Sequence, residues 1–411
     1  MIKVEKITWM YTPKTNWILF ILFGVATIAV FTVAMFIPTF RAISYAPLRE
    51  LLLPPPEPVV ISVLYSTEKE AWLNTVIDDF ETSGVTVDGH PIQLELQKMG
   101  SWEINAAVLD GSQQPVLISP ASSLQIAALQ DASMAQFGHS LVNPADTDTC
   151  RSVVTTPLVL VAWEERADAL WGYQPGKAFW KDLHNALVNP QGWAAFNQPD
   201  WGYVKFGHTD PLKSNSGYMT ILLMTYGYYG KTSGLSTSDI LTNSEYQDWF
   251  LSMEDSIGQF EYSTGPLMQK MVAYGPSTFD FITVYEATAI EQAENAVGRY
   301  GDISIYYPPN LLWSDHPFCV LKADWVSSQQ NQAAQLFIDY LTGYDAQKAA
   351  LMQFGFRPVD DSIPLEQAGS PFDRFAANGI RADLSNLPEV QIPDGNVLNT
   401  LRDFWSRNVN R

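Results

Sequence analysis

The chain has 411 residues, of which 46% are hydrophobic and 17% charged, and it carries a formal net charge of −20 at pH 7. This composition is typical of a folded protein of two domains or one bilobed unit, and it excludes a long disordered portion. The acidic balance excludes a nucleic-acid partner, because phosphate backbones are bound by a surplus of Lys and Arg.

The first feature along the chain is an apolar segment, residues 17–40, which contains no charged side chain. About 20 apolar residues suffice to span a bilayer, whereas a signal peptide has a shorter apolar core and a small-residue cleavage site. Lysines precede the segment, and the positive-inside rule therefore favours a cytoplasmic N-terminus over residues 1–16. We predict an uncleaved transmembrane signal anchor over 17–40, a stiff Pro-rich spacer over 41–58, and an extracytoplasmic remainder.

After the spacer, short apolar runs are followed by hydroxyl side chains and then by helical periodicity. Residues 59–65 (VVISVLY) predict a buried strand, with Ser66 and Thr67 directly after it and a helix next. The same order recurs along the chain, so we expect an α/β fold with mainly parallel sheets. The further strand and helix candidates are residues 116–119, 124–129, 153–163, 218–226, 318–321 and 333–354.

Hydroxyl and amide side chains gather where these strands end and these helices begin. In open α/β sheets, ligands bind at the carboxyl edge of the strands, and free N–H groups at helix N-termini suit polar or anionic ligands. The alternative is that the serines only cap helices. We expect a pocket of neutral donors without covalent chemistry. The candidates are Ser66, Thr67, Ser119, Ser122, Ser123, Ser214, Asn215, Ser216 and the backbone at Gly217.

An enzyme is the weaker interpretation of the same stretch. His208 and Asp210, with Ser214 or Ser216, supply the residue types of a catalytic triad. The sequence has no G-x-S-x-G nucleophile elbow and no H-E-x-x-H motif, so a hydrolase is disfavoured and a zincin is excluded.

Side chains of metal-ligating type have no spacing that defines a known coordination geometry. The chain has two cysteines, which is too few for a metal framework. We therefore expect no metal and no cofactor, and structural roles for His208, Asp210, Glu286, Asp315 and His316.

A series of motifs, in a fixed order, resembles the bacterial extracellular solute-binding proteins, and within them the branch found beside or fused to von Willebrand factor A domains. The resemblance runs from about residue 59 to the C-terminus, although residues 307–312 (YPPNLL) lack the Gly-rich turn expected there. The motifs are residues 118–123 (ISPASS), 156–160 (TPLVL), 200–211 (DWGYVKFGHTDP), 214–217 (SNSG), 285–286 (YE), 316–318 (HPF), 333–337 (AAQLF) and 355–358 (GFRP).

This resemblance implies the two-lobed type II periplasmic-binding fold, with a ligand cleft between α/β lobes joined by two crossing segments. The crossings would be residues 155–163 and 316–325. Residues 59–155 and 325–411 would form lobe 1 together with a C-terminal helix, and residues 156–324 would form lobe 2.

The resemblance also bears on four individual side chains. It adds Tyr285 and Glu286 to the ligand-binding residues, with Glu286 as an acid on the far wall of the cleft. A buried carboxylate needs a partner, which could be the ligand, a Lys or an Arg. Because crossing strands run side by side in this fold, Cys150 and Cys319 could form a disulfide or remain two buried thiols.

These expectations together describe a membrane-anchored, non-enzymatic solute-binding protein that closes two lobes over a small polar or anionic ligand. An ABC-type permease is the partner that the resemblance implies. The alternative is an extracytoplasmic interaction or sensor protein that works with a von Willebrand factor A protein and has a vestigial pocket.

Overall fold

The computed structural model describes residues 16–36, 56–172 and 179–409. They divide into two compact units, one with helix α1 (Asn16–Phe36) and a few residues near 58 and 90, the other with the remaining described residues. Within α1, Trp17–Ala34 has a mean hydropathy of 2.5, which by length and composition is enough to cross a membrane. The predicted cytoplasmic N-terminus, the end of the predicted anchor and most of the predicted spacer lie outside the described residues.

The second unit alternates helices and strands, as the sequence patterns predict. Its helices are α2 Glu70–Thr82, α3 Ser101–Leu109, α4 Ser123–Phe137, α5 Glu164–Trp171, α6 Phe179–Leu187, α7 Asn215–Tyr229, α8 Thr237–Leu241, α9 Ser244–Asp255, α10 Thr264–Tyr274, α11 Glu286–Ala296, α12 Ser328–Leu341, α13 Tyr344–Phe354, α14 Pro371–Arg374 and α15 Gly395–Asn408. Its strands are β1 Val59–Tyr65, β2 Thr86–Val87, β3 His90–Lys98, β4 Leu117–Ser119, β5 Cys150–Ser152, β6 Val154–Trp163, β7 Phe206–Gly207, β8 Phe281–Tyr285, β9 Ile303–Tyr306, β10 Trp313–Ser314, β11 Pro317–Val320 and β12 Arg357–Pro358.

The first sheet has the strand order β2-β3-β1-β4-β11-β5. β1 pairs in parallel with β3 and β4, whereas β11 is antiparallel to β4 and β5. Ile61 and Leu64 of β1 belong to different apolar clusters and are both buried, so both faces of the strand are covered. This explains why its sequence is continuously apolar rather than alternating.

The second sheet is organised around β6, which pairs with β8, β9, β10 and β12. All four neighbours run antiparallel to β6, so the expectation of mainly parallel sheets is wrong for this lobe. β8 and β9 are connected through helix α11 and are parallel to each other, as expected for a crossover. They are separated by β6, which enters from the first sheet in the opposite direction.

The chain passes between the two sheets at short connections. β5 continues into β6 across Val153, and β10 leads into β11 across Asp315 and His316. The two passages touch, since the Val153 N–H donates to the His316 carbonyl at 3.4 Å. The predicted crossing 155–163 therefore lies inside the second sheet, and most of the predicted crossing 316–325 lies in or beside the first.

A disulfide joins Cys150 and Cys319 beside these passages. The two residues face each other in the register of β5 and β11, and their Cα atoms are 3.9 Å apart. Of the two alternatives left open by the sequence, the structure has the bonded one.

The C-terminal part of the chain divides between the two lobes. Helices α12 and α13 pack on the first sheet, but the chain then returns to the second sheet as β12. Helix α15 packs on the second lobe, where the Tyr218 hydroxyl donates to the Leu398 carbonyl at 2.8 Å. This placement differs from the expected assignment of residues 325–411 to lobe 1. The cause is an apolar stripe at helical spacing that fits α7 and α9, formed by Val397, Leu401, Phe404 and Trp405.

Candidate functional site

The parallel strands β1 and β4 end side by side and place two candidate serines together. Tyr65 and Ser119 are register partners, and the Ser66 N–H donates to the Ser119 carbonyl at 3.0 Å. Both serines are buried. Among the described residues, the Ser119 hydroxyl has no hydrogen-bond partner, so a buried polar atom remains free at this edge of the sheet.

A buried lysine lies at the centre of this edge. Lys69 is 0% exposed, and its Nζ donates to Ser66 Oγ at 2.5 Å and to the Pro120 carbonyl at 3.3 Å. The same nitrogen lies 3.3 Å from Glu68 Oε1 and 3.3 Å from His316 Nδ1. We call Ser66, Glu68, Lys69, Ser119, Asn215, Tyr285 and His316 the interlobe cluster.

The charges of this cluster nearly cancel. Burial would raise the pKa of Glu68, but the charge of Lys69 and the hydrogen bond with His316 hold it below its ordinary value. Burial lowers the pKa of Lys69, against the attraction of Glu68. Burial and the neighbouring Lys69 charge lower the pKa of His316, which is therefore a neutral imidazole at pH 7. Among the described residues, His316 Nε2 has no hydrogen-bond partner.

The second lobe contributes Asn215 and Tyr285 to the cluster. Asn215 Nδ2 donates to the Tyr285 hydroxyl at 2.9 Å, and Asn215 Oδ1 accepts from Gln125 Nε2, on the first lobe, at 2.7 Å. The Tyr285 ring stands edge-to-face against His316, with centroids 5.8 Å apart. Hydrogen bonds and ring contacts thus run from one lobe to the other.

The start of helix α7 is more deeply buried than the sequence indicates. The Ser216 hydroxyl is hydrogen-bonded to Thr209 Oγ1 at 2.8 Å and to Thr264 Oγ1 at 2.7 Å. Ser214 precedes the helix, but its side chain makes no capping hydrogen bond. A Cβ at Gly217 would lie 1.9 Å from the Thr209 carbonyl oxygen, so this position needs glycine. These side chains fix the start of the helix against residue 209 and against helix α10.

The remaining hydroxyl candidates bind other parts of the protein. Ser122 caps helix α4 by accepting from the Leu124 N–H. Ser123 hydrogen-bonds through its hydroxyl to Asp315, in the second passage. The Thr67 hydroxyl contacts the Ser263 hydroxyl on the other lobe.

Two side-chain contacts relate the loop at 66–67 to the loop at 214–217. Ser263 contacts Thr67, and the adjacent Thr264 contacts Ser216, so the loops at 66–67 and 214–217 both lie at the N-terminal end of helix α10. They approach each other between the lobes, rather than lying on opposite outer faces.

Glu286 has its partner within the protein. Both oxygens of its fully buried carboxylate accept from Arg357, at 2.7 Å from Nε and 2.8 Å from Nη2, and the Tyr307 hydroxyl also donates to it. Of the three partners that the sequence left open, the structure uses an arginine. A carboxylate that is fully buried and held by these donors supports the lobe and is not exposed to a solute.

An open cleft of about 560 Å³ adjoins the interlobe cluster. It is bounded by α2, the 98–103 segment, α10 and α11, so both lobes contribute to its walls. Volumes of this size are typical of small-molecule sites. Its lining residues are Thr67, Glu68, Glu70, Ala71, Asn74, Lys98, Met99, Gly100, Glu103, Tyr262, Gly265, Pro266, Gln269, Thr288, Glu291 and Gln292.

The triad interpretation of His208 does not match the geometry. His208 is fully buried, and its two ring nitrogens bond to the Thr209 carbonyl at 2.8 Å and to Glu254 Oε1 at 3.0 Å. Neither nitrogen is left for a serine hydroxyl. Among the described residues, no three or more metal-ligating side chains are grouped so that they could hold a metal ion.

Sequence reasoning missed Glu68 and Lys69, and also Arg357 as the partner of Glu286. In the sequence, Glu68-Lys69-Glu70 is an ordinary charged first turn of a helix, because nothing local shows that its lysine is buried. The available signal is position: a charged pair directly after a fully apolar strand lies at the carboxyl edge of the sheet.

Two lobes, joined by short passages and enclosing polar side chains and a cleft, define the class of periplasmic binding proteins. Residues 61–357 match the family described as bacterial extracellular solute-binding protein. This match covers well over half of the chain, so the protein belongs to that family.

Solved structures agree on the fold. The sulfate-binding protein SubI from Mycobacterium tuberculosis H37Rv matches with a TM-score of 0.52 at 18% identity, over 86% of this chain and 98% of that one. Iron-bound HitA from Pseudomonas aeruginosa matches with a TM-score of 0.54 at 16% identity, over 84% of this chain and 99% of that one. A periplasmic thiamin binding protein matches with a TM-score of 0.59 at 12% identity, over 88% of this chain and 100% of that one. At these identities the likeness shows the type II periplasmic-binding fold alone.

Curated relatives include two uncharacterized proteins of Mycobacterium tuberculosis, from strains CDC 1551 / Oshkosh and H37Rv. Each is 24% identical over 273 residues, which is 64% of this chain and 36% of the relative. The chain therefore spans about a third of the length of these relatives.

Proposed function

We propose that the protein is a membrane-anchored extracytoplasmic solute-binding protein that captures a small polar solute between its lobes. The observation that carries this proposal is the 560 Å³ cleft, whose walls come from both lobes and adjoin the interlobe cluster. A solute in that cleft contacts both lobes at once, so it favours the closed arrangement over any open one.

The polar solute is held without covalent chemistry. The cleft is lined by carboxylates, amides, hydroxyls and one lysine, and both ring nitrogens of the buried His208 are taken up by hydrogen bonds to Thr209 and Glu254. The family and the solved structures of similar fold are binding proteins, which supports the same conclusion.

Helix α1 is proposed to anchor the domain to the membrane, with the solute-binding unit outside the cytoplasm. Its span Trp17–Ala34 supports the proposal by length and composition. An ABC-type permease is the proposed acceptor of the solute, on the grounds of family membership. Delivery to a permease requires that the two lobes separate, and the short passages at Val153 and at residues 315–316 are the proposed hinges.

A second candidate function is supported by one observation. The side chains of Glu68 and Lys69 occupy the interlobe cluster and bond to each other and to His316. A domain held closed by its own lysine would serve as a fixed interaction surface, for example for a von Willebrand factor A protein.

Mass spectrometry of retained ligands separates these two functions. The full-length chain, purified in detergent, is incubated with a small-molecule extract of its source cells, washed, and unfolded to release what it holds. We expect one class of small molecule to be released in about one equivalent per chain. Release of no small molecule would contradict solute binding, and would favour the second candidate if a protein complex is recovered instead.

A further inference from the structure

The walls of the cleft carry an excess of acidic side chains from both lobes. We propose that the solute is a small organic cation with an ammonium group, which this cleft binds between opposing carboxylates. This inference rests on the proposed solute-binding function and names the chemical class of the solute. It departs from the anionic alternative that the sequence left open.

Four glutamates line the cleft, against a single lysine. Glu68, Glu70 and Glu103 come from the first lobe, and Glu291 comes from helix α11 of the second. Lys98 pairs with Glu70 at 3.0 Å, so it neutralises one of the four. Lys69, behind the wall, balances Glu68. Glu103 and Glu291 remain as uncompensated charges, one on each lobe.

Closure of the lobes brings like charges together. Partial burial raises the pKa of Glu291, against the hydrogen bond from Gln292, and the negative charge of Glu70 adds a smaller increase. The uncompensated carboxylates of Glu103 and Glu291 lie on different lobes, so their mutual repulsion opposes the closed arrangement of the empty protein. A cation between the two walls changes the repulsion into two attractions, so it couples binding to closure.

Uncharged groups of the cleft match the same class of ligand. The Tyr262 ring lines the cleft and is 58% exposed, an arrangement that suits a cation over an aromatic face. Thr288 lines the cleft and is only 3% exposed, and its hydroxyl has no hydrogen-bond partner among the described residues. It is therefore free to accept from an ammonium N–H.

A metal ion fits the cleft less well than an organic cation. Within the described part of the chain, no three metal-ligating side chains approach closely enough to coordinate one ion. The glutamates are instead spread over a volume of about 560 Å³, which a molecule of several heavy atoms can bridge.

The test uses a defined mixture of probes with the full-length chain in detergent. The mixture contains putrescine and choline as cations, sulfate and succinate as anions, and glucose as a neutral solute, at equal concentration. Retained compounds are measured by mass spectrometry, and the affinity for each retained probe by calorimetry. We expect retention of a cation, with affinity that weakens as salt is added, because the contact is between charges.

Matched variants assign the binding to the two free carboxylates. Glu103→Gln with Glu291→Gln keeps the size of both side chains and the acceptor that Glu103 offers to the Gly100 N–H. This double variant should bind the cation roughly 10- to 100-fold more weakly, as for the loss of hydrogen bonds to a charged group. Glu366→Gln removes one charge from the exposed surface outside the cleft and should bind normally.

Each remaining outcome overturns the proposal in a distinct way. Retention of sulfate, succinate or glucose alone would overturn the cationic class and leave solute binding intact. Retention of a cation that is insensitive to both salt and the double variant would place it elsewhere on the protein. Retention of no probe, with no small molecule recovered from cell extract, would overturn the proposed function as well.

Discussion

Replacing Arg357 with methionine should destabilise the protein strongly without weakening solute binding. Arg357 is 7% exposed and forms two parallel hydrogen bonds, of 2.7 and 2.8 Å, with the fully buried carboxylate of Glu286. It also donates to the Ala382 carbonyl at 2.8 Å, so it ties β12 and the chain beyond it to helix α11. Methionine keeps an apolar stem of similar length but offers none of these donors.

The size of the destabilisation follows from the buried Glu286 carboxylate, which loses its charged partner. In Arg357→Met, the Glu286 carboxylate keeps only the Tyr307 hydroxyl as a donor, in a site closed to solvent. Removal of one partner of a buried ion pair costs about 3–5 kcal/mol of unfolding free energy. Adding Glu286→Gln removes the stranded charge, and the double variant should lie within about 1.5 kcal/mol of the wild type, because a neutral pair of similar size replaces the ionic one.

Urea unfolding followed by tryptophan fluorescence measures both variants, and retention of the extract solute measures binding. The expected pattern is a large loss of stability in the single variant, recovery in the double variant, and normal binding in the double variant. An equal loss in both variants would show that the charge is not the cause. A loss of binding in the stable double variant would return Glu286 to the ligand site.

Three further predictions concern other contacts. Burial alone would lower the pKa of His208, but the charge and hydrogen bond of Glu254 raise it above 6.5. The stabilisation from protonated His208 is therefore complete below pH 6.5 and is lost as the pH rises through the raised pKa. Glu254→Gln should abolish this pH dependence of the unfolding free energy, measured by urea titration. Replacing Cys150 and Cys319 together by alanine should cost about 4–5 kcal/mol of unfolding free energy in the chain-entropy model, and an unchanged urea midpoint would contradict this. Intact-mass measurement of the protein from membranes should still include Trp17–Ala34, and a start beyond this helix would show that it is a cleaved signal.

The sequence predicts the fold well because the relevant signals are local. The apolar run of β1 and the Ser122 cap of α4 are each specified within a few residues, and the order of motifs indicates the family. The pairing of β6 against both β8 and β9 was missed, because the direction in which a strand enters a sheet is a property of the whole chain.

The candidate site is less accessible to sequence reasoning, because burial and long-range partners decide the role of each side chain. Ser214 and Ser216 have the sequence of a ligand loop, but the structure encloses them between α7, α10 and residue 209. Glu286 lies 71 residues along the chain from Arg357, which donates hydrogen bonds to its carboxylate. Lys69 becomes a central residue because the fold brings the Pro120 carbonyl and His316, which lie 51 and 247 residues away, against its buried amine.

A steric block tests most directly whether a solute occupies the cleft between the lobes. Gly265 lines the cleft, and a Cβ there meets no atom within 4 Å, so Gly265→Trp places a large side chain in the cleft without a clash at the backbone. Gly258 has the same free space around its Cβ but lies outside the cleft, which makes Gly258→Trp the matched control. Solute retained per chain after incubation with cell extract should be near one equivalent in the wild type and in Gly258→Trp, and at least tenfold lower in Gly265→Trp. Equal retention by all three proteins would contradict binding in this cleft.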